Sequence, residues 1–307
     1  MSGIGRQCVC LVLAGLLIGC ASHQNGSARS VDWPGFTVEI LEDIRFVPDN
    51  WPQALEADVY RPDRAGTFPG VLLVHGGGWE SRSRDDMRLI ARRLALRGFV
   101  AVNIDYRFAP EFQFPAQVHD VQMAIRWMRD EAETLHIDPD RIGAVGFSSG
   151  AHLVSLVSLV AGSDSAIDQP YGGLETCFDA VVAGGLPADF HSYDEGKLLI
   201  QFLGGDRTEV PEAYALASPL KQVSGQAPPH FLFHGTADRL VPIAHAEDFS
   251  AALGQEGVHV ELYRMRLRGH VSAFLTSGGA IRRGSEFLYE KLAEGGCRQP
   301  LAASSTR

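Results

Sequence analysis

Two kinds of apolar pattern alternate along the chain. Phe36 to Phe46 and Glu56 to Tyr60 place apolar and polar residues in turn, as strands with one wet face do, and Pro48 to Pro52 marks the turn between them. Val71 to Val74, Val100 to Ile104, Ile142 to Val145, Ala180 to Val182 and Phe231 to Phe233 are continuously apolar, the pattern of strands covered on both faces, and Val258 to Tyr263, interrupted by His259 and Glu261, is the last predicted strand. Between these runs, Asp85 to Arg97 and Ala116 to Leu135 recur at helical spacing. Ser149 to Val160 is apolar nearly all round, and Ile243 to Leu253 and Gly279 to Leu292 are the last helical patterns. Strands alternating with helices predict right-handed crossovers and an α/β fold: a mainly parallel central sheet with helices on both faces. Gly184 to Pro229, after the sixth predicted strand, offers only the short helical pieces Lys197 to Leu203 and Glu212 to Leu216, so it predicts a small cap. Chemistry in such sheets gathers at the carboxyl ends of the strands, which points to the loops starting at His75, Asp105, Phe147, Gly184, His234 and Gly269.

The 307 residues, 45% hydrophobic, are enough for one large domain with a substantial core. A formal net charge of -10 argues against binding nucleic acid and against recruitment by anionic lipid headgroups. The first twenty residues have another character. Val9 to Ile18 is almost wholly apolar and too short to span a bilayer, and Leu17-Ile18-Gly19-Cys20 resembles the lipobox of bacterial lipoproteins. This predicts a signal peptide over residues 1–19, lipidation at Cys20 with a small, polar, flexible tether to residue 32, a folded body over 33–295 and a tail over 296–307. The expected place is the cell envelope, with membrane attachment through the N-terminal lipid only; the alternative is an ordinary secretory signal that leaves Cys20 unmodified. Cys8 and Cys10 would leave with the signal. Cys177 and Cys297 then remain, either paired or as separate thiols, and spacing leaves both open. No CxxC spacing supports a metal site.

Gly146-Phe147-Ser148-Ser149-Gly150 joins a predicted strand to a predicted helix, the context a GxSxG turn needs to hold Ser148 Oγ out over the sheet. Ser149 is a rival, but only Ser148 has glycine at both offsets. His75-Gly76-Gly77-Gly78-Trp79 follows another strand, and three glycines let backbone N–H groups turn toward one point, where they and the Ser149 N–H could hold an oxyanion. A serine hydroxyl needs a base, and the base needs a carboxylate to orient it. Asp238, just past Phe231 to Phe233, and His270, past Val258 to Tyr263, supply them in the order Ser, Asp, His. Asp189 and Asp206 are alternative acids. His75 and His234 are expected to bond loop backbone, His152 to pack beneath the turn, and His245 to face solvent from a helix.

These segments, with Asn103 to Pro110, Phe114-Pro115-Ala116 and Asp138 to Ile142, follow one another as in the α/β-hydrolase esterases. They look like the hormone-sensitive-lipase-like group and the bacterial feruloyl and acetyl xylan esterases, from about Trp33 to about Leu292. The resemblance implies an α/β-hydrolase fold and a serine carboxylic-ester hydrolase for short-chain acyl or carbohydrate-linked esters. It implies Ser148 as nucleophile, Asp238 and His270 as its partners, oxyanion donors at Gly77, Gly78 and Ser149, and no cofactor. Phe147-Ser148-Ser149 departs from the Asp-Ser-Ala of the lipase-like group, and Val271 to Phe274 departs from the glycine and aromatic that follow the histidine in many relatives. Arylformamidases, which hydrolyse formamides, share a similar loop and are the enzymatic alternative. A non-enzymatic envelope binding lipoprotein is the other, and a complete triad in order speaks against it.

Overall fold

The apolar runs form the middle of a single sheet. A computed structural model of the chain describes residues 21–26, 29–192 and 196–297. Within them the strands are β1 (Ala21–Gln24), β2 (Val38–Arg45), β3 (Glu56–Pro62), β4 (Phe68–Val74), β5 (Val100–Ile104), β6 (Ile137–Phe147), β7 (Ala180–Gly184), β8 (His230–Gly235) and β9 (Val260–Met265). They lie in the order β1-β9-β8-β7-β6-β4-β5-β3-β2. The stretch from β9 to β5 is parallel throughout, while β1 on one edge and β3 and β2 on the other run antiparallel to their neighbours.

Successive residues of a strand face opposite sides, so each central strand feeds two cores. Leu72, Val74, Val102, Val181 and Leu232 enter one; Val71, Leu73, Ala101, Val182, Phe231 and Phe233 enter the other. Helices cover both faces. On the first lie α2 (Ala116–Asp130), α4 (Ser149–Val160) and α8 (Ala244–Gln255). On the second lie α1 (Arg88–Ala95) and α10 (Gly278–Glu294). The predicted helix through Leu135 is interrupted at Glu131, after which α3 (Ala132–Leu135) adds one turn. The predicted cap, which follows β7 once β1 is counted, holds α5 (Lys197–Leu203), α6 (Pro211–Leu216) and α7 (Pro219–Gln222). A last short helix, α9 (His270–Leu275), starts on the histidine that the sequence places in a loop.

The flexible tether is corrected. Ala21–Gln24 pairs with β9, Ala21 opposite Met265 and Gln24 opposite Leu262. Beyond it, the mostly buried Arg29 side chain reaches the fully buried Glu261 with Nη1 3.0 Å from Oε2, and also bonds Glu290. His23 Nε2 stands 2.8 Å from Glu261 Oε2. Small polar residues satisfied by backbone pairing and a buried carboxylate carry no apolar period, so the segment has the composition of a linker and the position of an edge strand. The signal peptide and Cys20 lie outside the described residues. Among those described, no helix is long and apolar enough to cross a membrane.

The body also extends past residue 295. Cys297 is disulfide-bonded to Cys177 across 120 residues, Cα atoms 6.0 Å apart, and its N–H donates to Asp179 Oδ1 at 2.8 Å. The bond fastens the end of α10 beside the start of β7. Cys297→Ser is expected to lower the unfolding free energy by roughly 2–4 kcal/mol, read from urea unfolding of the non-reduced protein; unchanged stability would show that the backbone holds α10 without the bond.

Candidate active site

Ser148 sits where β6 turns into α4, with φ 55 and ψ −123, a conformation unusual for a residue with a side chain. Two glycines make the turn possible by close approach. A Cβ on Gly146 would lie 2.4 Å from the Gly150 carbonyl oxygen, and one on Gly150 would lie 2.0 Å from that of Val74. The Ser148 N–H donates to Gly184 O at 2.8 Å, fixing the corner against β7. The hydroxyl thus stands over the carboxyl edge of the sheet.

Three side chains, each placed after a different strand of the sheet, meet there. The Ser148 Oγ to His270 Nε2 distance is 2.9 Å, and His270 Nδ1 to Asp238 Oδ2 is 2.6 Å. Asp238 is buried, and its Oδ1 accepts the Leu240 and Val241 N–H groups, both at 2.9 Å. Burial by itself would raise its pKa, but bonds from His234, His270 and Val241 outweigh it and hold the carboxyl well below the usual carboxylate range. An ionised Asp238 accepts only, so His270 Nδ1 carries the proton and Nε2 is left to take one from Ser148. The arrangement can draw a proton from the serine hydroxyl and return it to a leaving group.

Gly77 and Gly78 both have positive φ and line the same cleft as Ser148 and His270. Among the described residues, neither glycine's N–H has an intramolecular acceptor. Trp79 braces this loop: its ring stacks on Phe202 at 4.4 Å and its Nε1 donates to His152 Nδ1 at 3.2 Å. Burial pushes His152 down to about 4 against the opposing bond to Ala217, so the ring is neutral and its Nε2–H donates to Ala217 O at 2.7 Å. His152 therefore packs beneath the turn, as expected. Ser149 is buried with its hydroxyl 3.2 Å from that of Tyr106, which removes it as a rival nucleophile.

The alternative acids lie elsewhere. Asp189 Oδ1 accepts the N–H groups of His191 and Ser192, and Asp206 caps its own exposed turn through Thr208 and Glu209. His75 bonds Gly76 O through Nδ1 at 2.5 Å. His234 does more than bond backbone: its Nε2 donates to Val241 O at 2.8 Å while standing 3.4 Å from Asp238 Oδ2. Its place four residues before Asp238 was the available signal. The solvent-facing reading of His245 is corrected: it is buried on the cleft wall, and its Nδ1 accepts the Ala188 and Asp189 N–H groups at 3.2 Å. A helix seen only as a pattern does not reveal which loop closes over it. No group of metal-binding side chains occurs among the described residues.

The cleft has a volume of about 620 Å³. Phe147, Phe190, Leu198, Leu199 and Phe274 give it apolar walls, and Glu80, Arg82, Asp86 and Lys197 a polar side. Residues 57–253, running from β3 through α4 to α8, match the family model described as BD-FAE. The chain belongs to the BD-FAE family of α/β-hydrolase esterases. It is 33% identical over 204 residues to esterase LipC of Mycobacterium tuberculosis, covering 62% of this chain and 50% of LipC, so it spans about half the length of that relative. A truncated carbohydrate esterase from gut microbiota shares the fold with a TM-score of 0.74 over 87% of this chain and 99% of that one, at 23% identity. The acetyl ester-xyloside bifunctional hydrolase of Caldicellulosiruptor lactoaceticus aligns with a TM-score of 0.67 and 27% identity over 83% of this chain and 94% of its own. The BD-FAE match covers β3 to α8, whereas His270 lies beyond it, at the start of α9.

Proposed function

We propose that the protein is a serine carboxylic-ester hydrolase acting on short-chain acyl esters, including esters of carbohydrates. The observation that carries this reading is the chain of contacts from Ser148 through His270 to Asp238, at 2.9 and 2.6 Å. In the proposed cycle His270 takes the Ser148 proton as Oγ attacks the ester carbonyl. The oxyanion lies against the N–H groups of Gly77, Gly78 and Ser149, and His270 then protonates the leaving alcohol. Water, activated by the same imidazole, cleaves the acyl-enzyme and restores Ser148. The cycle needs no cofactor.

The substrate class rests on the cleft. To the apolar walls at Phe147, Phe190 and Phe274 the cap adds only Leu198 and Leu199, from a helix of 7 residues, while Phe202, Leu203 and Tyr214 are spent in the core, so the cap does not extend those walls into a tunnel for a long chain. The polar side at Glu80, Arg82 and Asp86 suits a hydroxyl-rich alcohol, in keeping with the carbohydrate esterase and the acetyl ester-xyloside hydrolase it resembles in fold. The narrower likeness to hormone-sensitive-lipase-like esterases rests on the succession of His75 to Trp79, Asn103 to Pro110, Phe114 to Ala116, Asp138 to Ile142, the Ser148 turn and His234 to Asp238. Export as a lipoprotein rests on Val9 to Ile18 and Cys20, and the Cys177 to Cys297 bond suits an oxidising compartment.

Ser148→Ala is expected to abolish labelling by a fluorophosphonate and to lower turnover by at least about 10⁴ while leaving the circular dichroism spectrum unchanged; labelling that persists at another serine sinks the assignment. Across a series of aryl esters, kcat/KM is expected to stop rising beyond butyryl, since a further methylene gains about 0.8 kcal/mol only where an apolar wall receives it. Faster hydrolysis of palmitoyl esters, or of N-aryl formamides over all esters, overturns the substrate class.

A further inference from the structure

The four most exposed large apolar side chains among the described residues are Leu267 at 86%, Leu275 at 74%, Val271 at 65% and Leu240 at 61%. They are scattered in sequence but not in space. Leu240 lies on the loop after β8, Leu267 on the loop after β9, and Val271 and Leu275 one turn apart on α9. The two loops are laced together: Leu267 N–H donates to Thr236 Oγ1, Ala237 N–H to Arg268 O, and Asp238 bonds His270. Val271 and Leu240 also line the cleft, so this apolar rim is one lip of the site.

Charge on the rim reverses that of the whole molecule. In a chain of net charge -10, residues 235–243 and 264–276 hold Arg239, Arg264, Arg266 and Arg268 and one acid, the buried Asp238. Arg239, Arg266 and Arg268 are exposed and form no ion pair among the described residues. Apolar side chains standing in water beside unpaired arginines match the composition of surfaces that enter the boundary of an anionic bilayer, where the arginines meet phosphates and the aliphatic groups meet acyl chains.

The path of the chain selects the occupant. Ala21 pairs with Met265, two residues before Leu267, so the first described residue of the sheet lies beside this rim. What precedes it is Cys20 and the apolar run from Val9 to Ile18. We propose that the rim formed by Leu240, Leu267, Val271 and Leu275 with Arg239, Arg266 and Arg268 docks on an anionic phospholipid surface, turning the mouth of the cleft toward the lipid. A lipid occupant, as selected by the chain's path, rests on the export reading; the rim itself does not.

The test uses the chain from residue 20 onward with Cys20→Ser, which contains every described element and both cores, so that no acyl group contributes. Flotation with vesicles of phosphatidylglycerol and phosphatidylethanolamine is expected to carry the protein, with vesicles of phosphatidylcholine alone to carry much less, and binding is expected to fall as salt rises. Leu267→Ser with Leu275→Ser is expected to weaken partitioning at least tenfold, and Arg266→Glu with Arg268→Glu to abolish the preference for phosphatidylglycerol. Both pairs lie outside the cleft lining, so hydrolysis of a dissolved aryl acetate is expected to stay within twofold. Vesicle binding unchanged in the leucine pair, or absent in a folded protein, overturns the proposal. So does a concentration-dependent dimer that the leucine pair dissolves, because a second copy then covers the rim. Loss of the ester hydrolysis reading would show instead as docking without turnover, and loss of the lipoprotein reading as failure of the full-length chain to incorporate fatty acid.

Discussion

Asp238→Asn is expected to slow kcat on a dissolved aryl acetate by about 10⁴ with little change in KM and none in fold. The carboxylate takes the Leu240 and Val241 N–H groups on one oxygen and faces His270 Nδ1 with the other. An asparagine keeps its one carbonyl oxygen where the two N–H groups are and turns its amide N–H toward Nδ1. The imidazole must then carry its proton on Nε2, where it cannot accept one from Ser148. His270→Ala is expected to cost more, about 10⁶ in kcat, because it removes the proton acceptor and not only its orientation. Measured turnover of both variants beside Asp189→Asn decides the matter: a loss at Asp189 equal to that at Asp238 would move the acid to the other loop.

Glu261→Ala is expected to remove roughly 3–5 kcal/mol of stability, because it leaves the Arg29 guanidinium and the β1 strand without their buried counterpart. Burial alone would raise the Glu261 pKa; bonds from His23 and Arg29, the Arg29 charge and His259 bring it down from 4.5 to about 2. A carboxyl held lower in the folded chain than in the unfolded one stabilises the fold fully above its ordinary value and loses that contribution as pH falls from 4.5 toward 2. Urea unfolding at pH 7 and pH 3 is the check. The gap between wild type and Glu261→Gln is expected to narrow at pH 3, and an equal gap at both would mean that the ion pair does not hold β1.

Which parts of the molecule the sequence reveals follows from where the stabilising partner lies. Val100 to Ile104 and Ser149 to Val160 are read with the boundaries they have, because their burial is written in their own residues. Ser148, Asp238 and His270 are legible for a different reason: each falls just past a strand end, and the order of the chain pairs them before any distance is known. Ala21–Gln24 is invisible because its stabilisation comes from β9, some 240 residues on, and its side chains show no period. His245 is misread because a separate loop, at Ala188 and Asp189, closes over it. The pairing of Cys177 with Cys297 stayed open in the sequence, since spacing does not bring two thiols together and the packing of α10 does.

The pairing of β1 with β9 also bears on the order in which the chain acquires its shape. Gln24 and Arg264 side chains bond across 240 residues, so loop-closure entropy delays that edge until almost the whole chain has been made or delivered. Until then β9 presents an unpaired backbone edge, the kind of surface on which two copies join strand to strand. The earliest strand of the described chain is thus among the last to find its place, and the interval before it does is when the newly made protein is most open to aggregation.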